Sequence, residues 1–468
     1  MNDHVRSSAF LKAEQIYEHS ARLKILPFPS PNPGLFATFI CSVCEKLKAR
    51  VSSPDAGEKE TSLIPIFLVD QIAPTLQFIE GASSENTPAS LVVPVERIGE
   101  EVLPGSRFMV RRQWRYNYSV QELLRGLKED LRGLLSEAER NLLFKDLPPR
   151  LFAISFPSFE RDNAVLHVNF AHEIAHPLEE VYLGRENRPA ILLELQREIQ
   201  KGIKVDDPVQ RVVEVGKAVT DARKKREAAL MEVLSDTISA RVFGPSALFA
   251  LYEVATLSRS MDRISADFHP PWRFRLREIF STLVDLRFVD SATFQLKGWP
   301  TEIPDCISAV KRVVDDWLLQ LHRVVEQTAD TTEIEKNLSD KQAYDSARRA
   351  LPAVREFAAE KVPQQYTPTV FGEEVPGLLA RLHADLPPNR IEHGLSENRE
   401  VRLASILASG WLFKLGELAP VFGKDRDAYV QRVQTLNRLV LKAIQLSEIQ
   451  TEYAKRPGKQ DNGTAKPA

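Results

Sequence analysis

Residues 167–180, HVNFAHEIAHPLEE, hold three of the chain's nine histidines. His172 and His176 are four apart, with Glu173 beside the first and Pro177 directly after the second. At about 3.6 residues per turn, both histidines fall on one helix face, and their imidazoles can reach one metal ion. Glu173 lies about 100° round from His172. It need not ligate, and can hydrogen-bond a water held by the metal. This is the H-E-x-x-H arrangement of two ligands and a general base. Pro177 disfavours helical geometry at His176, so the spacing predicts a helix that stops or bends right after the second ligand. His167, five residues before His172, points elsewhere and reads as structural.

A catalytic zinc needs a third protein ligand and an open position for water. The sequence after His176, PLEEVYLGRE, has no histidine at the short spacing. The best candidate lies in 227-EAALMEVLSDTISARVFGPS-246, where Glu232 and Asp236 share one helical face. Ala228, Ala229, Ser239 and Ala240 lie along it and let another helix approach closely. Asp236 can accept the free ring N–H of a ligand histidine and so fix its tautomer. A third segment, 267-DFHPPWRFR-275, places His269 before two prolines, which hold its backbone extended. Arg275 falls just inside the next helix. A histidine and an arginine there can stabilise the oxyanion formed when a carbonyl is attacked.

The three pieces, in this order, resemble the gluzincin metallopeptidases, and most closely the family of the HtpX heat-shock protease and the CAAX prenyl endopeptidase. The resemblance covers residues 150–285. It implies His172, His176 and Glu232 as ligands of Zn2+, Glu173 as general base and Asp236 as the residue behind a ligand. It also implies contacts of His269 and Arg275 with substrate or transition state, with His269 able to lie near the metal. It makes the short strand 151–156 part of a sheet beside the cleft, whose edge an extended substrate can join. The chain departs from the family pattern at Phe268, where a small hydroxyl residue is common, and in lacking the membrane helices or secretion signal of many members.

The rest of the chain sets the frame. Lys+Arg number 62 and Asp+Glu 64, so no global basic field favours nucleic acid or an anionic membrane. The apolar share of 43% suffices for a sizeable core. The start, MNDHVRSSAF, has no signal pattern, and no apolar run approaches a membrane span; 63-LIPIFLV-69 reads as a buried strand. Three cysteines form no disulfide framework and fit a reducing cytoplasm. Cys41 and Cys44, on an amphipathic helix over 35–49, read as core residues. The basic run 221-DARKKRE-227 reads as a solvated face.

The expected fold class is α+β, mainly helical: a zincin-like metallopeptidase core with a small sheet, and a C-terminal all-α domain. The expected divisions are a mixed α/β region 1–150, the core 151–288, a linker 289–305, helices over 306–455 and a disordered tail 456–468. Strands are expected at 62–69, 90–95 and 151–156. A helix is expected from Ser119, a second capped by Ser136 and Glu139, and the motif helix is expected to be capped by Asp162 or Asn163. In the C-terminal part, Trp317, Leu318, Leu321, Val324 and Val325 form an apolar stripe, core first and a protein-partner groove second. His322, His383 and His393 lack partners at ligand spacing and read as structural. The function expected is zinc-dependent cleavage of a protein or peptide substrate. The alternative is a non-catalytic protein of the same fold that uses zinc for structure or sensing.

Overall fold

Ala9, Ala13 and Ile16 on one helix, and Phe36, Ile40, Val43, Cys44 and Leu47 on the next, recur at helical spacing and are all buried. They close α1 (Asn2–Lys24) on α2 (Asn32–Ser52) at the start of the first of two units, Met1–Arg161 and Asp162–Ala468. The structure is a computed structural model that describes residues 2–53, 58–257, 261–262, 264, 268–326, 337–363, 366–391 and 399–454. His393 and the whole of the expected tail, 456–468, lie outside the described residues.

The first unit continues with α3 (Glu58–Phe67), a π turn, α4 (Ala73–Gly81), α5 (Ala89–Val102), β1 (Ser106–Gln113), β2 (Ser119–Glu122), α6 (Leu124–Asp130), α7 (Glu137–Phe144) and β3 (Arg150–Pro157). The sheet order is β1-β3-β2, with β3 parallel to β1 and antiparallel to β2. Parallel neighbours need a long crossover, and β2, α6 and α7 supply it. Ser136 and Glu139 form the expected capping box of α7.

Four expectations for this unit are corrected. The runs 62–69 and 90–95 are helical, not strands. A short apolar run does not separate strand from buried helix; the longer pattern does. Ile64, Phe67, Leu68, Ile72, Leu76 and Ile79 are buried at helical spacing. The π turn Leu68–Ile72 sits just before Pro74, which lacks an N–H to continue the regular ladder. Secondly, Ser119 opens β2, and the helix begins only at Leu124. Thirdly, Ser62–Gly81 forms one helical stretch long and apolar enough to cross a membrane by length and composition. Its buried residues belong to this unit's core. Fourthly, β3 is the central strand, paired on both sides, so it has no free edge for a substrate to join.

Two expected results arise here. Cys44 is fully buried and burial pushes its thiol pKa up to about 12. At about pH 8, where a free cysteine is partly thiolate, native protein should leave Cys44 unmodified by a thiol reagent. Denaturant should release it. Gly99 on α5 faces Phe108 on β1, and a Cβ there would meet the ring at 2.0 Å. Phe108 is itself locked, stacked on Phe152 with centroids 5.6 Å apart. Gly99→Ala should therefore cost about 1–3 kcal/mol in a denaturant titration.

The second unit carries α8 (Asn169–Ala175), α9 (Glu179–Arg185), α10 (Arg188–Gly202), α11 (Pro208–Phe243), α12 (Pro245–Thr256) and α13 (Trp272–Asp285). After the segment 289–305 follow α14 (Asp305–Glu326), α15 (Leu338–Lys361), α16 (Pro368–His383), α17 (Leu403–Phe413), α18 (Ala419–Phe422) and α19 (Arg426–Ala454), with a two-stranded ribbon, Arg390–Ile391 against Arg399–Glu400. Helix α11 is the spine, packing on α8, α10, α12, α13 and α15. Residues 289–305 thus join two parts of one unit, and strand 151–156 belongs to the other unit.

The run 221–227 is less solvated than expected. Arg226 is 4% exposed and forks onto Glu186, while Lys225 pairs with Asp221 and with Asp340 of α15. The α14 stripe is mostly core: Leu318, Leu321 and Val325 are buried, and Trp317 packs edge-on against Phe249 and Tyr252. Val324 is exposed. His322 stacks on Phe294, and His383 pairs with Glu417 at 2.6 Å.

Candidate metal centre

Short helical segments deliver the motif. Residues 164–168 form a 3-10 turn, α8 carries His172 and Glu173, and His176–Leu178 tighten into another 3-10 turn. Asn163 flanks the first turn without a side-chain cap, so neither expected cap forms on α8. Pro177 ends the α-helical ladder at Ala175, as its missing N–H requires. His176 nevertheless keeps helical angles, φ −51° and ψ −40°, so the two ligand candidates still share a face. Their rings lie 4.7 Å apart, edge to face. His167 is buried and stacked on Phe170.

Each ring is held at Nδ1 by an acid. His172 Nδ1 lies 2.9 Å from Asp236 Oδ1, in ion-pair contact though outside strict hydrogen-bond alignment. His176 Nδ1 contacts Glu179 Oε1, with Ser235 Oγ 3.4 Å from the ring and 3.3 Å from that carboxylate. Both Nε2 atoms then meet carboxylates: His172 Nε2 is 3.4 Å from Glu232 Oε2, and His176 Nε2 is 3.7 Å from Glu173 Oε2. One donor atom each of His172, Glu173 and His176 lies within 4.8 Å of the others. Glu232 is not part of this group, though its Oε2 lies 3.4 Å from His172 Nε2.

The donor set fits a divalent metal. Imidazoles oriented through Nδ1 present Nε2 for ligation, and an acid behind the ring raises its basicity. Two carboxylates beside two imidazoles are chemistry that Zn2+ accepts. His172, Glu173 and His176 form the group that could hold such an ion.

Electrostatics divide the acids. Burial raises the pKa of Glu173, against the opposing pull of His176 and His172. Burial also acts to raise Glu232 and Asp236, but Arg275 with His172 outweighs it and lowers both, Glu232 well below its ordinary value. His172 is disfavoured as a cation by burial, yet Asp236 and Glu232 carry it up to about 10.

Arg275 is placed otherwise than expected. Its Nε and Nη2 reach Asp236 at 2.9 and 2.7 Å, and its Nη1 reaches Glu232 at 2.7 Å. It is 7% exposed. Three of its five N–H donors thus clamp the two acids of α11. His269 remains accessible, its side chain 57% exposed, with Nδ1 2.9 Å from Glu232 Oε1. Phe268, at φ 65°, turns the backbone into the left-handed region just before it.

Two supporting residues escaped the sequence reading, Glu179 and Ser235. Glu179 stood three residues after His176, a spacing that makes side chains neighbours on a helix. Ser235 offered no such signal, since it adjoins Asp236 on a long helix.

Comparison with family models, with curated proteins and with solved structures finds no match for this chain.

Proposed function

We propose that the protein is a zinc-dependent metalloendopeptidase with a zincin-like centre. The observation that carries this reading is the double anchoring: Asp236 and Glu179 hold the two Nδ1 atoms, while both Nε2 atoms meet carboxylates. A purely structural site has no need of a buried glutamate with a raised pKa beside its ligands, and Glu173 is one. When bound, zinc supplies acidification of a water and polarisation of a carbonyl.

Glu173 takes a proton from the attacking water and passes it to the leaving amine, and its raised pKa suits it to hold that proton between the two steps. Arg275 keeps Glu232 and Asp236 ionised, and Asp236 keeps His172 in place. His269, accessible at the rim, can hydrogen-bond the substrate carbonyl as charge develops on its oxygen. The substrate is a peptide or protein segment. The C-terminal helices are an accessory part of the same unit, open to a protein partner.

The test is incubation with a diverse peptide library, read by mass spectrometry. Cleavage should stop on chelation and return with zinc. Zinc-loaded protein that cuts nothing would favour the alternative, a non-catalytic protein using zinc for structure or sensing.

A further inference from the structure

A cavity lies in the same unit, and the metalloendopeptidase reading does not use it. It measures about 700 Å³ and is bordered by α11, α13, α15, the 297 loop and the start of α16. Its basic residues are Arg241, Arg287, Lys297 and Arg355, against one carboxylate, Asp285. Lys297 and Arg355 are already paired, with Asp290 and Asp285. Arg241 and Arg287 have no acidic partner among the described residues. Arg241 is half-buried and spends Nε and Nη2 on a neutral acceptor, Val362 O. Burial lowers its pKa, as expected for a cation withdrawn from water without an anion.

Two further observations lie at the cavity wall. Thr237, which lines it, is 2% exposed, and its Oγ1 has no hydrogen-bond partner. A buried hydroxyl left unpaired is costly, which makes such a group a place to look for a missing ligand. The start of the sixteen-residue α16 is the second. Thr367 Oγ1 caps Val370 N–H, Thr367 O takes Phe371 N–H, and Pro368 has no N–H to offer. The Thr369 N–H is left without an intrahelical acceptor, at the positive end of the helix. The cavity wall here is tightly built. A Cβ on Gly372 would meet Gly298 O at 1.6 Å, and one on Gly298 would meet Pro368 O at 2.2 Å. Backbone-to-backbone contact therefore fixes the loop bearing Lys297 against the first turns of α16.

We infer that this cavity binds a phosphate group, carried by a small molecule. Thr237 Oγ1, the Thr369 N–H and the guanidinium groups of Arg241 and Arg287, neither of which has an acidic partner among the described residues, are its donors. Phosphate suits this set because it offers several acceptor oxygens and two negative charges to a helix start flanked by arginines. The volume exceeds what one phosphate needs and lies within the range of small-molecule sites, so the phosphate is an ester or anhydride with a body behind it.

The test is calorimetric titration of the full chain with inorganic phosphate, pyrophosphate and adenosine monophosphate, at constant ionic strength held with chloride. Saturable binding of at least one is expected, with a phosphoryl compound larger than orthophosphate binding more tightly. Orthophosphate binding as tightly as either larger probe would overturn the assignment to an ester or anhydride. Two variants localise the site. Arg287→Asn removes an exposed cation and keeps a residue tolerant of the left-handed backbone at this position, φ 64°. Thr237→Val removes the hydroxyl with little change in shape. Each should weaken binding about tenfold or more, with an unchanged melting temperature for Arg287→Asn. Absence of saturable binding at millimolar concentrations, or binding unaltered in both variants, would overturn the inference. Neither outcome bears on peptide cleavage.

Discussion

Glu173→Gln should lower the rate of peptide cleavage by a factor of about 10²–10⁴, the usual contribution of a positioned proton-transfer group. Glutamine has the same shape but cannot take a proton from water or return it to the leaving amine. The rest of the centre should survive the change. His172 remains held by Asp236, His176 by Glu179, and Glu232 by Arg275. Zinc content should therefore stay equal to that of the native protein, and substrate affinity should change little. The measurement is kcat on the best peptide from the library, beside the metal content of both proteins. A variant that keeps the native rate would remove Glu173 from the chemistry. A variant that loses its metal along with its activity would recast Glu173 as a ligand.

Arg275→Leu should destabilise the metal-free protein by about 3–5 kcal/mol, the cost of breaking a buried ion pair by removing one partner. Glu232 and Asp236 are 5% and 2% exposed, and would be left with His172 and His269 alone. The pH dependence follows from the sign of the shifts. Both carboxylates are lowered in the folded protein, with Arg275 the main cation responsible. Their stabilising contribution is present above the ordinary carboxylate pKa of about 4 and is lost as pH falls through the lowered values. The variant should lose this contribution, so its deficit should be large at neutral pH and shrink in acid. Urea titrations of both proteins across that range provide the check. Arg275→Lys keeps the charge without the planar fork, and should recover only part of the loss.

The candidate centre was legible because helical spacing is a strong constraint. His172 with His176, and Glu232 with Asp236, each sit four apart, and nothing in the neighbouring sequence breaks either face. The side-chain direction of Arg275 was not legible. Whether it meets substrate or clamps two acids depends on how α13 packs against α11, which is a tertiary fact. Pro177 was read correctly as a local break: the α-helix ends at Ala175, and a 3-10 turn follows that leaves His176 on its face. The runs at 62–69 and 90–95 were misread because a short apolar run does not separate a strand from a buried helix. Both lie in helices that carry a proline inside them, Pro65 and Pro94. The strand 151–156 was legible as a strand, but its central place in the sheet was not. Sheet order depends on pairing partners that a single segment does not reveal.

The central claim is that His172 and His176, with Glu232, hold one divalent metal. Its most direct test is the metal content of protein purified without chelators, for the native chain and for a His172→Ala, His176→Ala double variant. The account predicts one zinc per chain in the native protein and none in the variant, with both folded by circular dichroism. A native protein without stoichiometric metal, or a double variant that retains it, would contradict the account.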